Sequence, residues 1–395
     1  METSPEIDVV KSPPFYRDER ILRNIAQVVS AVLVIGLVVW AALNFFQAAD
    51  ARGLSLGFGF LDSPAGFPIS DAAIDYDTSM PFSRAFLVGL ISTLRVSVLG
   101  IIFATILGIL IALAYLSPNW LLSKLALAFV EFHRNIPLLV LLFLWYFTVF
   151  REMPAVENAT VLPGPIYLSQ RGVYFTWPRL TESGTIFGVS IIAAILLAAV
   201  VNARLRRFRD LTGRGEWILP ATLGILVAIP VLGWILSGGN PIRWDVPFLD
   251  GLNLRGGLRL SAEFMGLFVG LTLYTAAFIS EVVRSGIQAV SRGQFEAAGA
   301  LGLKTLQTLN LVVMPQALRV IIPPLISQYL NLTKNSSLAL AIGYQDLFAI
   351  GKITINQAGR AVPVFILIMG TYLALSLITS AVLNWYNSRI QFVLH

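Results

Sequence analysis

The stretch EAAGALGLKTLQTLNLVVMP, from Glu296 to Pro315, sets a glutamate, two alanines, a glycine and a proline at fixed spacing between two apolar segments. Gln294 to Leu301 consists of good helix formers, with Glu296 in the first turn, where a carboxylate suits the positive end of the helix dipole. Gly302 stands where a helix ends on a left-handed residue. The small side chains of Ala297 and Ala298 leave one face nearly bare, so another protein could approach closely, with Phe295 and Leu301 as apolar anchors beside it. An ordinary loop helix packed on its own protein has the same local pattern. The surrounding chain has to decide between the two.

Hydrophobic residues make up 56% of the 395 and charged residues 13%, well below the roughly one quarter usual in soluble domains. That composition is a membrane protein's. Charge-free runs long enough to cross about 30 Å of hydrocarbon extend over Asn24 to Ala49, Val96 to Ser123, Ser183 to Ala203, Trp217 to Ile242 and Ala361 to Asn387. Shorter or interrupted ones cover Asn135 to Phe150, Phe264 to Ser280 and the proline-broken region from Val320 onward, for eight expected spans in all. The expected fold is an all-α, polytopic helical bundle.

Orientation follows from the loops that carry Lys and Arg, which concentrate on the cytoplasmic side. A cytoplasmic N-terminus puts sixteen of the 28 basic residues inside and eleven outside, with Arg95 set apart within a span. The run Arg204, Arg206, Arg207, Arg209 and Arg214 then lies inside, as does the segment that begins at Glu296. The net charge of +6 reflects these membrane flanks, so nucleic-acid binding is not expected. The first apolar run is too long for a cleaved signal peptide and reads as a retained span. The chain has no cysteine, and its two histidines, His133 and His395, are far apart. Neither a thiolate metal site nor a His-based catalytic site is expected, and no cofactor.

With these features in place, the Glu296–Pro315 segment resembles the ATPase-docking loop of ABC importer permeases, in which E-A-A, three residues, Gly, nine residues and Ile-x-Leu-Pro recur. Here the match is Glu296, Ala297, Ala298, Gly302, Val312, Met314 and Pro315, the two aliphatic positions keeping apolar bulk. GLISTLRVSVLG and EFHRNIPLLVLLFLWYF are similar to the first half of amino-acid-type permeases, through Glu131, Arg134, Pro137, Leu138 and Leu139. The full-length layout resembles the Q-type membrane subunit of bacterial general L-amino-acid ABC transporters. The resemblance implies a type I importer transmembrane domain in the bacterial inner membrane, divided into a tail (1–22), an extra span and outer loop (23–80), a first core half (81–150), an insertion with two further spans (151–254) and a second core half (255–395). It also implies ATPase subunits, a second permease and a periplasmic amino-acid-binding protein as partners. No G-x-x-x-x-G-K-[ST] loop occurs, since the single Gly-Lys pair, Gly351-Lys352, is followed by Ile353. ATP would be bound and hydrolysed by a partner, and this chain would not be an enzyme.

Polar groups inside spans are costly and count as functional candidates. Glu281 and Arg284 lie three apart on one helix face, close enough to pair, and read as a structural ion pair bracing the docking segment. Pro323, Pro324, Gln328, Asn331, Thr333, Lys334, Asn335, Ser336 and Ser337 crowd one otherwise apolar stretch. Adjacent prolines free backbone carbonyls, which a membrane tolerates where protein or a wet cavity satisfies them. Asn331, Lys334, Ser336 and Ser337 are therefore candidates for a substrate pathway, unless Lys334 snorkels to the outer interface. GLFVG, Gly266 to Gly270, has dimerisation-type spacing that also marks local close packing. The rival to an importer subunit is a secondary transporter or channel that works without an ATPase. Such folds often repeat their broken helices in two halves, and no such pairing is visible here.

Overall fold

The computed structural model describes residues 19–51, 57–212 and 217–391. Most of the expected tail over 1–22, together with Arg214 and His395, lies outside these residues. Twelve α-helices are described: α1 (Glu19–Ala51), α2 (Phe82–Tyr115), α3 (Trp120–Asn135), α4 (Leu138–Phe143), α5 (Gly184–Thr212), α6 (Ile218–Leu236), α7 (Ala262–Gln288), α8 (Arg292–Ala300), α9 (Thr305–Thr308), α10 (Met314–Asn335), α11 (Leu347–Ala358) and α12 (Ala361–Gln391). Seven helical stretches are long and apolar enough to span a membrane, or eight if the bent α3–α4 pair counts as one.

The second span differs from its expected bounds. The helix begins at Phe82 and not at Val96, because Arg84 and Arg95 interrupt a search for charge-free residues yet sit comfortably in α2. Arg95 lays its guanidinium 4.5 Å from the Phe264 ring centroid, and Arg84 bonds the Asp75 carbonyl at 2.9 Å outside the bundle. The helix stops at Tyr115, ahead of Pro118, and Asn119 restarts the chain as the cap of α3, its Oδ1 accepting from the Leu122 amide at 3.1 Å. Ile136, ahead of Pro137, is extended at φ −99°, and the axis turns by 107° between α3 and the helix that follows. A π turn, Leu144–Phe150, continues α4.

Helix α7 forms the centre, packed by α2, α3, α4 and α10. Gly266 and Gly270 make this possible: a Cβ on either would lie 2.9 Å from Tyr146 Cβ or 2.6 Å from Leu142 Cδ2. Their spacing thus serves close packing on α4 and the π turn within one chain. Leu142, Phe264, Leu267, Leu271 and Tyr344 fill one core and Ile279, Val313, Ala317 and Leu332 another.

Around this bundle, α5 and α6 pack on each other, and the described side chains of α1 are exposed. The segments between α4 and α5 and between α6 and α7 add eight short strands to the helices. β1 (Thr160–Leu162), β2 (Ile166–Ser169), β3 (Gly172–Phe175) and β8 (Leu258–Leu260) form an antiparallel sheet with Val173 opposite Leu260. β4 (Trp177–Leu180) pairs with β5 (Ile242–Asp245), and β6 (Phe248–Asp250) pairs with β7 (Asn253–Arg255). The first sheet leads into Ser261, whose Oγ accepts from the Phe264 amide at 3.1 Å and so caps α7.

Candidate functional site

Two regions carry the candidate residues. At one end of the bundle, α8 is a short surface helix closed by a left-handed glycine; it starts at Arg292, two residues before the expected Gln294, so Glu296 sits in mid-helix and not in the first turn. Gly302 has φ +75° and its amide donates to Gly299 O at 2.9 Å, while the Leu303 amide donates to Ala298 O at 3.1 Å. This pair of bonds is the Schellman closure, satisfying carbonyls that a helix end leaves open. Ala298 is 2% exposed and faces the protein, whereas Phe295, Glu296, Ala297 and Leu301 face outward. Leu301, at 81%, and Leu306, at 73%, are among the most exposed leucines of the chain.

The segment around Glu296 is tied directly to a spanning helix. Gln316 Nε2 donates to Gln294 Oε1 at 3.1 Å and to Val312 O at 3.0 Å, joining α8 to the first turns of α10. Between α9 and α10 the chain takes a π turn, Leu309–Val313, and Pro315 follows at the start of α10. The wider turn suits the proline, which has no N–H to give to the preceding ladder. Beyond it, Pro323 and Pro324 withhold donors from the carbonyls of Arg319 and Val320.

Along the middle of the bundle, α7 and α10 line a groove with two cavities of about 270 Å³ each. Tyr274, Thr275, Gln328, Asn331 and Asn335 line the upper one, and Arg134, Glu281, Ser285, Pro324 and Gln328 the lower. Phe278 and Gln328 belong to both. Gln328, Asn331 and Asn335 recur at helical spacing, so α10 turns one amide stripe to α7.

Of the four candidate pathway residues, Asn331 alone lines either of these two cavities. Lys334 is exposed, and Ser336 is fully buried, donating to Thr333 O at 2.8 Å. Ser337 donates to Lys334 O at 2.8 Å. These hydroxyls satisfy carbonyls where α10 passes into a 3₁₀ turn, Ser336–Ile342. Glu281 and Arg284 are paired, with Nε to Oε2 at 3.1 Å and a second, shorter contact from Arg284 Nη2 to Glu281 Oε1. Arg284 also lies 5.0 Å from the Tyr115 ring centroid, which fixes α7 against the end of α2.

The sequence reading missed Asp346. It lies between two spans and is fully buried, with Oδ1 accepting from the Ala349 amide at 2.9 Å as the cap of α11. Its Oδ2 accepts from Tyr372 Oη on α12 at 3.0 Å. The neighbouring Leu347 amide donates to Thr93 Oγ1 on α2 at 3.1 Å. Burial pushes the Asp346 carboxyl up to about 7, against the pull of its hydrogen bonds. The available signal was an acid three residues before Ala349 at the head of an apolar helix, the spacing of an N-cap.

With the geometry in hand, similarity to known proteins adds a further finding. Residues 190–392 match the family described as binding-protein-dependent transport system inner membrane component. The AapQ permease protein of the general L-amino acid transport system of Rhizobium johnstonii is 42% identical over 93% of this chain and 92% of its own length. The putative amino-acid ABC transporter permease protein YhdX of Escherichia coli is 43% identical over 93% of both chains. The probable glutamine ABC transporter permease protein GlnM of Bacillus subtilis is 38% identical over 50% of this chain and 84% of its own length.

Proposed function

The chain belongs to the family of binding-protein-dependent transport system inner membrane components, and from that premise we propose how it works and what it carries. It is a multi-pass inner-membrane permease subunit of an ABC importer, and ATP hydrolysis falls to a separate subunit. Its cargo is amino acids, a reading supported by the names of the relatives that match nearly its whole length. The N-terminus is cytoplasmic, an orientation favoured by the sixteen-to-eleven split of basic residues.

The observation that carries the coupling mechanism is the outward face of α8. Leu301 and Leu306 stand in solvent beside Glu296 and Ala297, a surface that fits an ATPase groove. Because Gln316 ties α8 to α10, movement of the docked ATPases would be passed to the helix that lines the cavities. Closure of the ATPases on nucleotide opens the pathway outward, and their separation opens it inward. The upper cavity between α7 and α10 is lined by the amides of Gln328, Asn331 and Asn335, so in the bilayer a second permease covers it, since lipid cannot satisfy those amides. A periplasmic binding protein delivers the cargo. Residues 151–254 are an insertion on this core, a reading in keeping with α5 and α6 packing chiefly on each other.

Reconstitution of the chain with an ATPase, a second permease and a binding protein tests the reading. ATP-dependent uptake of L-amino acids that requires the binding protein is expected. Equal uptake without ATPase or ATP would replace it with a secondary transporter or channel.

A further inference from the structure

Helix α5 is longer than the bilayer needs. About 20 residues cross about 30 Å of hydrocarbon, whereas α5 runs for 29, from Gly184 to Thr212, so its surplus begins at Arg204. The other arm of the hairpin marks the same depth. Asn202 Nδ2 donates to Thr222 Oγ1 at 3.4 Å, and Arg207 and Trp217, equally far along the chain from that bond, share a level about 7.5 Å beyond it. Trp217 is exposed, and tryptophan collects at the level of lipid headgroups. At that level Arg204, Arg207, Phe208 and Leu211 recur at the spacing of one helix face, and all four are exposed. Among the described residues neither arginine of this stripe has an ion pair or a side-chain hydrogen bond, whereas Arg206 donates Nε to Asn202 Oδ1 at 2.6 Å. Like charges three apart repel on a bare helix. A phosphate between them replaces that repulsion with charge-assisted contacts, for which the guanidinium fork is well shaped.

From depth, charge and spacing together, we propose that Arg204 and Arg207 hold the phosphate of an anionic phospholipid, with Phe208 and Leu211 against its glycerol and upper acyl chain. A zwitterionic lipid is a poorer occupant, because its own ammonium stands beside the phosphate and repels the arginines. Helices α5 and α6 pack chiefly on each other, so the bilayer covers this face, and a bound lipid fixes at one depth a hairpin with few ties to the central bundle. The site requires only that α5 spans the membrane. It goes beyond the transport reading and is independent of which side the N-terminus occupies.

Because the chain has no cysteine, Ala203→Cys, at an exposed position one turn before Arg207, carries a single fluorophore beside the site. The full chain is reconstituted into phosphatidylcholine vesicles that contain a nitroxide-bearing lipid, either phosphatidylglycerol or phosphatidylcholine, in both leaflets. Quenching then reports the relative affinity of the two lipids at this position, whatever the orientation of the chain. Phosphatidylglycerol should be preferred at least about tenfold, in keeping with two basic contacts at the membrane surface. Arg204→Gln combined with Arg207→Gln should bring the preference below about threefold, since one net charge on the lipid then finds only the diffuse field of the remaining basic residues. Arg206→Gln should leave it unchanged, as should added inorganic phosphate. No preference in the parent, or one that survives the double variant, overturns the site. Equal loss with Arg206→Gln replaces it with a diffuse basic surface, and displacement by inorganic phosphate replaces the lipid with a free anion.

Discussion

The amide of Leu303 donates to the carbonyl of Ala298 at 3.1 Å, and this bond sets the direction in which Leu301 leaves the protein. It exists because Gly302, between them, takes φ +75°. A side chain at that position costs about 1–2 kcal/mol in the left-handed region.

Gly302→Asp is expected to unwind the end of α8 while the spans insert normally. Glu296→Lys reverses the charge on the outward face in the middle of the same helix. Both variants should assemble weakly with the ATPase and lose most binding-protein-stimulated hydrolysis. Parental stimulation in both would remove α8 from the coupling surface.

The exposed leucines allow a sharper test. Leu301→Ser and Leu306→Ser remove apolar area from a surface that touches little of this chain, so thermal stability of the isolated subunit should change by less than about 0.5 kcal/mol. ATPase retention on purification should nonetheless fall at least about tenfold, equivalent to about 1.4 kcal/mol. A fall in stability without loss of ATPase would mark them as packing residues.

Within the groove, the effects should follow the cavity walls. Asn331→Leu deletes a lining amide worth about one hydrogen bond and should lower uptake on the order of tenfold. Lys334→Met, at a residue outside both cavities, should change uptake less than about twofold, as snorkelling to the interface implies. Uptake in proteoliposomes with all partners measures both, and the reverse order would place Lys334 in the pathway instead.

Asp346 supplies a pH prediction. Its carboxyl is raised from 3.8 to about 7 in the folded protein, so the folded state binds a proton that the unfolded state has released between those values. Stability is therefore greatest at the acid end of this window and is lost as pH rises toward 7, by up to about 1.4 kcal/mol per pH unit. Tm in detergent should decline from pH 5 to 7.5, and Asp346→Asn should flatten the decline. An identical slope in the variant would assign the pH dependence to other groups.

Some features of this protein are legible in one dimension. A bilayer offers no partner to the backbone, so long apolar runs become helices, and the spans could be located from composition alone. The left-handed end of α8 was equally readable, because Gly302 is a local requirement of the backbone. Periodicity along a single helix does not say which neighbour that face meets. Gln328 and Asn331 reach a cavity only because α10 packs along α7, where Tyr274, Thr275 and Phe278 form the other wall. The same packing turns Ser336 into the core and leaves Lys334 outside the groove. It also buries Asp346 against Tyr372, 26 residues away. Contacts between separate helices depend on how side chains fill the space between them, and only the tertiary structure decided those.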